Sequence, residues 1–269
     1  MKIIIIGYGW LGQQLALPLL QDGHQLYVTR RSADVLTNLP TAISGLVLDL
    51  RQPDLAQDQQ LLALFHDALV LCAIPPGRSE PDNTYQISLQ SLYQLMVQAP
   101  SRAVIHFSST GIYQGCTGEV DECSELLLHH PRVQLLNAGE QALKQFPQCI
   151  TLRLAGLMGP GRHPGHSVAG KTLSDPNGAV NMVHAADILA AINALIFDNT
   201  WSSAVYNLSC PELITREKFY LRAAESAQTE VTFIRDATQS RRVLAEKFSR
   251  RLDFRYRFSS APDALMHCF

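Results

Sequence analysis

The sequence predicts an α/β fold in which a doubly wound parallel sheet is followed by a small C-terminal cap. Three observations support this prediction. Short apolar runs alternate with helical segments over the first two thirds of the chain. A G-x-G-x-x-G motif separates the first apolar run from the first helical segment. After residue 156 this alternation ends, and the sequence becomes rich in Gly, Pro and His.

The predicted elements follow from the spacing of apolar residues. Four isoleucines after Lys2 indicate a strand that is buried on both faces, at residues 2–6. A helix is predicted at 10–22, with Gly23 ending it and Pro18 inside it as the one position where a kink is expected. Further strands are predicted at 25–29, 45–48, 68–73, 103–108 and 150–154, and further helices at 84–99 and 133–145.

The C-terminal third is predicted to contain the cap. The segment 157–171 (LMGPGRHPGHSVAGK) has the composition of an irregular loop. Asp187 is predicted to be the N-cap of a helix over 188–197, and Thr215 the N-cap of another helix. We therefore expect a dinucleotide-binding domain at 1–155, with 180–209 packing back onto it. Residues 156–179 and 210–269 would then form the cap, on the substrate side.

Composition narrows the class of protein. The 269 residues are 46% hydrophobic and 17% charged, with a formal charge of −2, which gives no electrostatic reason to expect a nucleic acid or an acidic membrane as partner. No run of about 18 apolar residues predicts a membrane span, and the early glycines argue against a leader. Six scattered cysteines without a C-x-x-C pair favour a cytoplasmic protein with no metal site.

The glycine motif predicts a phosphate-binding turn of the Rossmann type. Gly7 would allow the tight turn, Gly9 the close approach of a pyrophosphate, and Gly12 the close packing of helix on strand. Trp10 and Leu11 lie at the start of the helix, where unpaired amides and the helix dipole favour an anion. The sequence therefore predicts that a dinucleotide binds here.

The end of the second strand predicts which dinucleotide binds. An NAD site usually has an acidic residue there to hold the ribose diol. Here Thr29 takes that position, and Arg30 and Arg31 follow it. Two guanidinium groups suit the 2′-phosphate of NADP, so NADP is favoured over NAD. Asp49 and Leu50, after the third strand, are candidates to flank the adenine.

Several segments in the same order resemble the extended short-chain dehydrogenase/reductase family, also called the NAD-dependent epimerase/dehydratase family. They are GYGWLG (7–12), VLDL (47–50), FSSTGIY (107–113), VDE (120–122), LRLAGLMGPGR (152–162), VNMVHAADIL (180–189) and YNLS (206–209). The resemblance covers most of the chain. It implies a Rossmann-type fold, a nicotinamide cofactor and a small-molecule substrate of the nucleotide-sugar class. It also implies a homodimer that pairs through helices 84–99 and 133–145.

The resemblance also shows a departure from the family at the catalytic residues. The family uses a tyrosine, a lysine four residues later, and a serine or threonine. Ser109 matches the last of these, and Tyr113 matches a tyrosine that lies beside the active site in the family. The tyrosine and lysine positions fall on Arg132 and Leu136. The usual acid/base pair is therefore missing from this sequence.

Three interpretations of the function stay open. In the first, the protein is an enzyme with a different acid/base residue, for which Tyr113, His129 and His130 are candidates. Alternatively, hydride passes between NADPH and a substrate with only Ser109 and water assisting. In the third, the protein binds NADP without chemistry, as a sensor or scaffold. The first two describe an NADP-dependent oxidoreductase, or an epimerase/dehydratase-like enzyme.

Other candidate residues follow from their positions. Ala73 and Pro75, in the stretch AIPPG after the fourth strand, and Ser108, at the end of the fifth, are expected to contact the cofactor. Arg162 and Asn181 are candidates for binding the substrate. The pair Arg241 and Arg242 (RR, 241–242) is a candidate for binding a diphosphate.

Overall fold

The chain divides into two compact units. A computed structural model describes residues 1–77, 83–234 and 240–269. Unit 1 consists of residues 1–109, 131–152 and 200–205, and unit 2 of residues 110–130, 153–199 and 206–269. Each unit is therefore assembled from segments that are far apart in the sequence.

The secondary structure alternates between strands and helices. Within the described residues the strands are β1 (Lys2–Ile6), β2 (Gln25–Arg30), β3 (Ile43–Val47), β4 (Leu69–Cys72), β5 (Ala103–Ser109), β6 (Gly118–Val120), β7 (Cys149–Leu154), β8 (Gly156–Met158), β9 (Lys171–Leu173), β10 (Met182–His184), β11 (Ala204–Leu208), β12 (Val231–Phe233) and β13 (Arg241–Val243). The α-helices are α1 (Trp10–Gln21), α2 (Gln59–Phe65), α3 (Thr84–Gln98), α4 (Pro131–Lys144), α5 (Pro164–Val168), α6 (Ala185–Asp198), α7 (Arg216–Ser226), α8 (Glu246–Leu252) and α9 (Ala261–Leu265).

A seven-stranded sheet has the order β11-β7-β5-β4-β1-β2-β3. Strand β1 pairs in parallel with β2 on one side and with β4 on the other. The chain thus winds outward from β1 in one direction as far as β3 and then returns to wind in the other. This is the doubly wound α/β fold that the sequence predicts. The change of direction at β1 creates the crevice where such sheets bind ligands.

Apolar packing fixes the central strands and the first helix. Ile3, Ile4 and Ile5 of β1 are completely buried, as a strand covered on both faces requires. Helix α1 buries Leu11, Leu15 and Leu19, which are the positions predicted to share one face. The helix continues through Pro18. Gly23, with φ of +83°, follows its C-terminal end.

Unit 2 contains short paired strands and a separate core. Strands β8 and β10, β9 and β12, and β6 and β13 form parallel pairs. Phe219 and Phe258 belong to an apolar core with residues of α9. The side chain of Thr215 caps α7 by accepting the amide of Lys218, as predicted. In the described ranges, none of the helices has both the length and the apolar character needed to cross a membrane.

Two expectations for the C-terminal third are wrong. The N-cap of α6 is His184, whose ring accepts the amide hydrogen of Ala186, whereas Asp187 lies inside the first turn. Asp187 is instead buried and accepts amide hydrogens from Arg257 and Phe258. In addition, the segment 157–171 contains helix α5 and parts of two strands.

Candidate functional site

The conformation of the turn after β1 depends on Gly7 and Thr29. Gly7 has φ of +95°, and a Cβ on it would lie 3.0 Å from the carbonyl oxygen of Ala73. The Gly7 amide donates to Oγ1 of Thr29 at 3.2 Å, and the Tyr8 amide donates to the Thr29 carbonyl at 2.8 Å. Thr29 therefore uses both its oxygens to fix the turn.

The N-terminus of α1 begins at a glycine, which has no side chain that could cap the helix. Gly9 is the N-cap, and no side chain caps the helix. A Cβ on Gly12 would lie 2.9 Å from the carbonyl oxygen of Gly7, so the helix could not approach the turn so closely with a larger residue. Amides at a helix N-terminus carry a partial positive charge. This turn is suited to an anion such as phosphate.

A cleft of about 400 Å³ lies beside this turn within unit 1. Six residues predicted to bind a cofactor line it: Gly7, Arg30, Arg31, Asp49, Leu50 and Pro75. Six other predicted residues are not part of the lining as the described residues define it: Gly9, Trp10, Leu11, Gly12, Ala73 and Ser108. The structure thus brings the turn, the ends of β2 and β3, and the loop after β4 to one cleft.

One end of the cleft is basic. Arg30 is half-buried, and its Nε has no hydrogen-bond partner among the described residues. Asp49, in contrast, accepts two hydrogen bonds from the guanidinium of Arg51, at 2.8 Å from Nε and 2.5 Å from Nη2, and a third from the Arg51 amide at 3.0 Å. These bonds lower the pKa of Asp49 below its usual value, so this carboxylate is ionised and engaged. The buried Nε of Arg30 is a donor suited to an anionic oxygen.

Among the residues of the cleft wall that sequence reasoning missed, Tyr85 and Ser88 come from a helix. Both lie on the buried face of α3 at its beginning, which is the signal that could have identified them. The Tyr85 hydroxyl is 3.1 Å from Nε2 of His106, in the interior. Burial lowers the pKa of His106 to about 4, so this ring is neutral at physiological pH.

The end of β5 carries the predicted catalytic serine. Ser108 donates its hydroxyl hydrogen to Oε1 of buried Glu140 at 2.6 Å, which ties the strand to α4. Ser109 follows and is half-buried. On α4, Arg132 is exposed and Leu136 is buried. Neither the side chain at the tyrosine position nor that at the lysine position can therefore perform the family's role.

Tyr113, the other predicted catalytic residue, is completely buried in unit 2. Its hydroxyl donates to Oδ1 of Asn207 at 2.8 Å and accepts from Nη1 of Arg153 at 2.8 Å. Burial raises the pKa of Tyr113, although the nearby Arg153 opposes this shift. The phenol is therefore protonated and satisfied by two partners.

Arg241 of β13 contacts the turn at residues 110–113, which contains Tyr113. Nη2 of Arg241 donates to the carbonyl oxygen of Thr110 at 2.8 Å, while its Nε is buried and bonds to no other described residue. Burial lowers the pKa of this guanidinium from its high usual value. Arg242, its neighbour, pairs instead with Glu119 at 2.8 Å.

The remaining candidates lie elsewhere in unit 2. Arg162 is exposed and donates from Nε to the carbonyl of Leu157 at 3.2 Å. Asn181 is half-buried, and both polar atoms of its side chain bond to the main chain of β13. The rings of His129 and His130 lie 4.2 Å apart in the loop before α4.

The seven-stranded sheet and the glycine turn give the fold that the resemblance to the extended short-chain dehydrogenase/reductase family implies, and solved structures share this fold. The solved UDP-glucuronic acid 4-epimerase from Bacillus cereus in complex with NAD is similar, with a TM-score of 0.79 and 17% identity over 99% of this chain and 97% of that one. The Bordetella bronchiseptica enzyme WbmG, in complex with NAD and UDP, has a TM-score of 0.80 and 16% identity over 100% and 93%.

A sequence relative places the chain more narrowly. A scan against protein families gives no match. Protein YeeZ of Escherichia coli K12, however, is 31% identical over 279 aligned positions, which cover 98% of each chain. The chain belongs to the same family as Protein YeeZ.

Proposed function

We propose that the cleft of unit 1 binds NADP. The observation that carries this proposal is an uncapped helix N-terminus together with Arg30, whose buried Nε bonds to none of the residues that the structure describes. Gly7, Gly9 and Gly12 would hold the pyrophosphate through backbone amides at the helix N-terminus. A Cβ on Gly7 would lie 3.0 Å from the carbonyl oxygen of Ala73, and one on Gly12 would lie 2.9 Å from that of Gly7, so the turn has no room for a side chain at these two positions. The solved relatives of the same fold that were crystallised with NAD support a nicotinamide cofactor.

The preference for NADP rests on which polar groups of the cleft are already engaged. Thr29 bonds to the glycine turn, and Asp49 bonds to Arg51. Neither is therefore placed to hold a ribose diol in the usual manner of an NAD site. Arg30, whose buried Nε has no hydrogen-bond partner among the described residues, is the group that would pair with a 2′-phosphate, and Arg31 lines the cleft beside it.

Affinity measurements for both dinucleotides test this preference. In wild type we expect NADPH to bind at least about tenfold more tightly than NADH, a difference typical of one lost charge-assisted contact. Arg30→Ala should weaken NADPH binding and leave NADH binding within about twofold. Equal affinities for both dinucleotides in both proteins would contradict the proposal.

We propose that the protein is an oxidoreductase, or epimerase-like enzyme, acting on a nucleotide sugar. A bound nicotinamide would supply or accept the hydride. Ser109 would orient a substrate hydroxyl or carbonyl through its own hydroxyl, and Tyr113 would hold the turn that follows it. Arg241 would bind an anionic group of the substrate through its buried Nε. Arg162 and Asn181 stay candidates on the substrate side.

Turnover measurements separate this proposal from its alternative. NADPH consumption would be followed with a panel of nucleotide sugars and small carbonyl compounds. Ser109→Ala should lower kcat at least about tenfold, because the hydroxyl contributes a hydrogen bond in the transition state. The same substitution should leave NADPH affinity unchanged.

The alternative is a sensor or scaffold that binds NADP without chemistry. It is favoured by one specific observation: the position that is lysine in the family is Leu136, which is buried and cannot lower the pKa of any phenol. Complete inactivity across the panel, together with micromolar NADPH binding, would establish this alternative and reject the enzymatic proposal.

A further inference from the structure

Two asparagine side chains hold the short strand β13. Nδ2 of Asn181 donates to the carbonyl of Arg241 at 3.0 Å, and the amide of Val243 donates to Oδ1 of Asn181 at 2.7 Å. Nδ2 of Asn207 donates to the carbonyl of Leu244 at 2.9 Å. We call Asn181 and Asn207 the asparagine clamp.

The strand needs this support because its own pairing is small. Strand β13 has three residues and pairs in parallel with β6, which also has three. So short a pair of parallel strands is only marginally stable without further contacts. The clamp adds three hydrogen bonds to this stretch of main chain. Two come from Asn181, which lies just before β10, and one comes from Asn207 in β11.

Asn207 is itself fixed by a buried network. It is completely buried, and its backbone amide donates to Oε1 of Glu122 at 2.6 Å. Its Oδ1 accepts the hydroxyl hydrogen of Tyr113, which in turn accepts a hydrogen bond from Arg153. A buried network in which these groups are satisfied favours one geometry over alternatives.

The group whose position depends on this clamp is the Arg241 side chain. Its Nη2 bonds to the Thr110 carbonyl, and its Nε is buried without an acceptor in the described part of the chain. Leaving a buried charged donor unsatisfied costs free energy. An arrangement that keeps such a donor in place is therefore suited to a ligand oxygen that would satisfy it.

We propose that the asparagine clamp is a positioning device that orders Arg241 before an anionic, diphosphate-class group of the substrate binds. The inference rests on the proposed function. Asn181 then acts through Arg241 and does not touch the substrate, although the sequence placed it among the substrate-binding residues. Ordering the guanidinium in advance reduces the entropy that binding would otherwise cost.

The test is a double-mutant cycle with UDP as the probe, measured by calorimetry. We expect Arg241→Gln to weaken UDP binding about tenfold, and Asn181→Ala to weaken it about fivefold although the guanidinium is still present. Adding Asn181→Ala to Arg241→Gln should cost no more than about a further twofold, because the clamp would then have nothing to position.

Control variants keep the test decisive. Glu119→Gln removes the exposed partner of Arg242 on the same strand pair, and it should bind UDP within about twofold of wild type. Asn181→Asp keeps the acceptor for Val243 but loses the donor to Arg241, so it carries the test if Asn181→Ala does not fold.

Three results would overturn the inference. Asn181→Ala could leave UDP affinity unchanged, or it could weaken UDP binding by the same factor in the Arg241→Gln background as in wild type. The third is a wild type that binds NADPH but does not bind UDP. NADPH affinity is measured in parallel, and it should be unchanged in these variants. A wild type that binds UDP but not NADPH would reject the cofactor proposal, while the cycle would still decide the role of the clamp.

Discussion

At the scale of single residues, a comparison of Gly7 with Gly23 separates two reasons for a glycine, namely a positive φ and a lack of room for a side chain. Gly7 and Gly23 both have a positive φ, of +95° and +83°. A Cβ on Gly7 would press against the main chain of Ala73, whereas a Cβ on Gly23 would have no heavy atom within 4 Å. Gly7 therefore meets a conformational and a steric requirement, and Gly23 meets only the first.

This difference predicts distinct phenotypes for the two alanine variants. Gly23→Ala should lower the free energy of unfolding by about 1 kcal/mol and leave NADPH affinity unchanged. Gly7→Ala should destabilise the protein further and weaken NADPH binding at least about tenfold, because the turn must shift away from Ala73. Urea unfolding and fluorescence titration with NADPH would measure both effects. Equal NADPH affinity in the two variants would remove the turn from the cofactor site.

Residue-scale prediction from the sequence succeeded where the backbone alone sets the requirement. The tight turn at Gly7 and the close packing of helix on strand at Gly12 follow from the spacing of these glycines between a strand and a helix. The bonds from Thr29 to the turn and from Asp49 to Arg51 could not be predicted, because each depends on which side-chain partners the fold brings near. Because both bonds engage groups that could otherwise hold a ribose diol, they support NADP over NAD in the cofactor proposal.

At the scale of elements, the packing of α3 on α4 depends on Gly139. A Cβ on this glycine would clash with the ring of Tyr85, and it would lie 2.9 Å from Cδ1 of Leu89. Both residues are buried on α3. Gly139 therefore permits the two helices to approach closely, despite the low helix propensity of glycine.

We expect Gly139→Ala to destabilise the protein by about 1–3 kcal/mol, although alanine is the better helix former. Displacing Tyr85 should also disturb its bond to His106 and reshape the cleft wall, which would weaken NADPH binding. Gln141→Ala, at an exposed position of the same helix, is the matched control and should be neutral. A stabilised Gly139→Ala variant would show that α3 and α4 can separate without cost.

Element boundaries were predictable where apolar periodicity is strong. The strands β1, β4 and β5 and the helices α1 and α3 lie within a few residues of their predicted bounds. The segment 157–171 was expected to be irregular, yet α5 begins at Pro164 with His163 as its N-cap. Pro at the first helical position and a histidine cap are weak local signals of a helix. The high content of Gly, Pro and His in this segment therefore led to the prediction of an irregular loop.

At the scale of the whole molecule, the fold class could be predicted because it depends on the order of many apolar runs. The polar interior of unit 2 could not. Tyr113, Arg153 and Asn207 come from distant parts of the sequence, and their bonds depend on tertiary proximity. The segments LRLAGLMGPGR and YNLS, which carry the last two, were visible in the sequence only as pieces of a resemblance.

The stability of the whole molecule should depend on pH through Asp187. This carboxyl is completely buried, and within the described ranges its Oδ2 has no hydrogen-bond partner. Burial raises its pKa to about 6, although the amides of Arg257 and Phe258 and the charge of Arg257 oppose the rise. In the unfolded chain the pKa is near 3.8. The folded state therefore binds this proton more tightly than the unfolded state does.

The sign of the effect follows from linkage. The contribution of a raised carboxyl pKa to stability is fully present below about pH 4 and is lost as pH rises through about 6. Asp187→Asn cannot titrate, so the stability of wild type relative to this variant should increase as pH falls from 8 to 5. Thermal unfolding of both proteins over this range measures the difference, and effects of other groups cancel in it. A difference that is constant with pH would mean that Asp187 stays ionised in the folded protein, and that water or a movement of residues 257–258 satisfies its second oxygen.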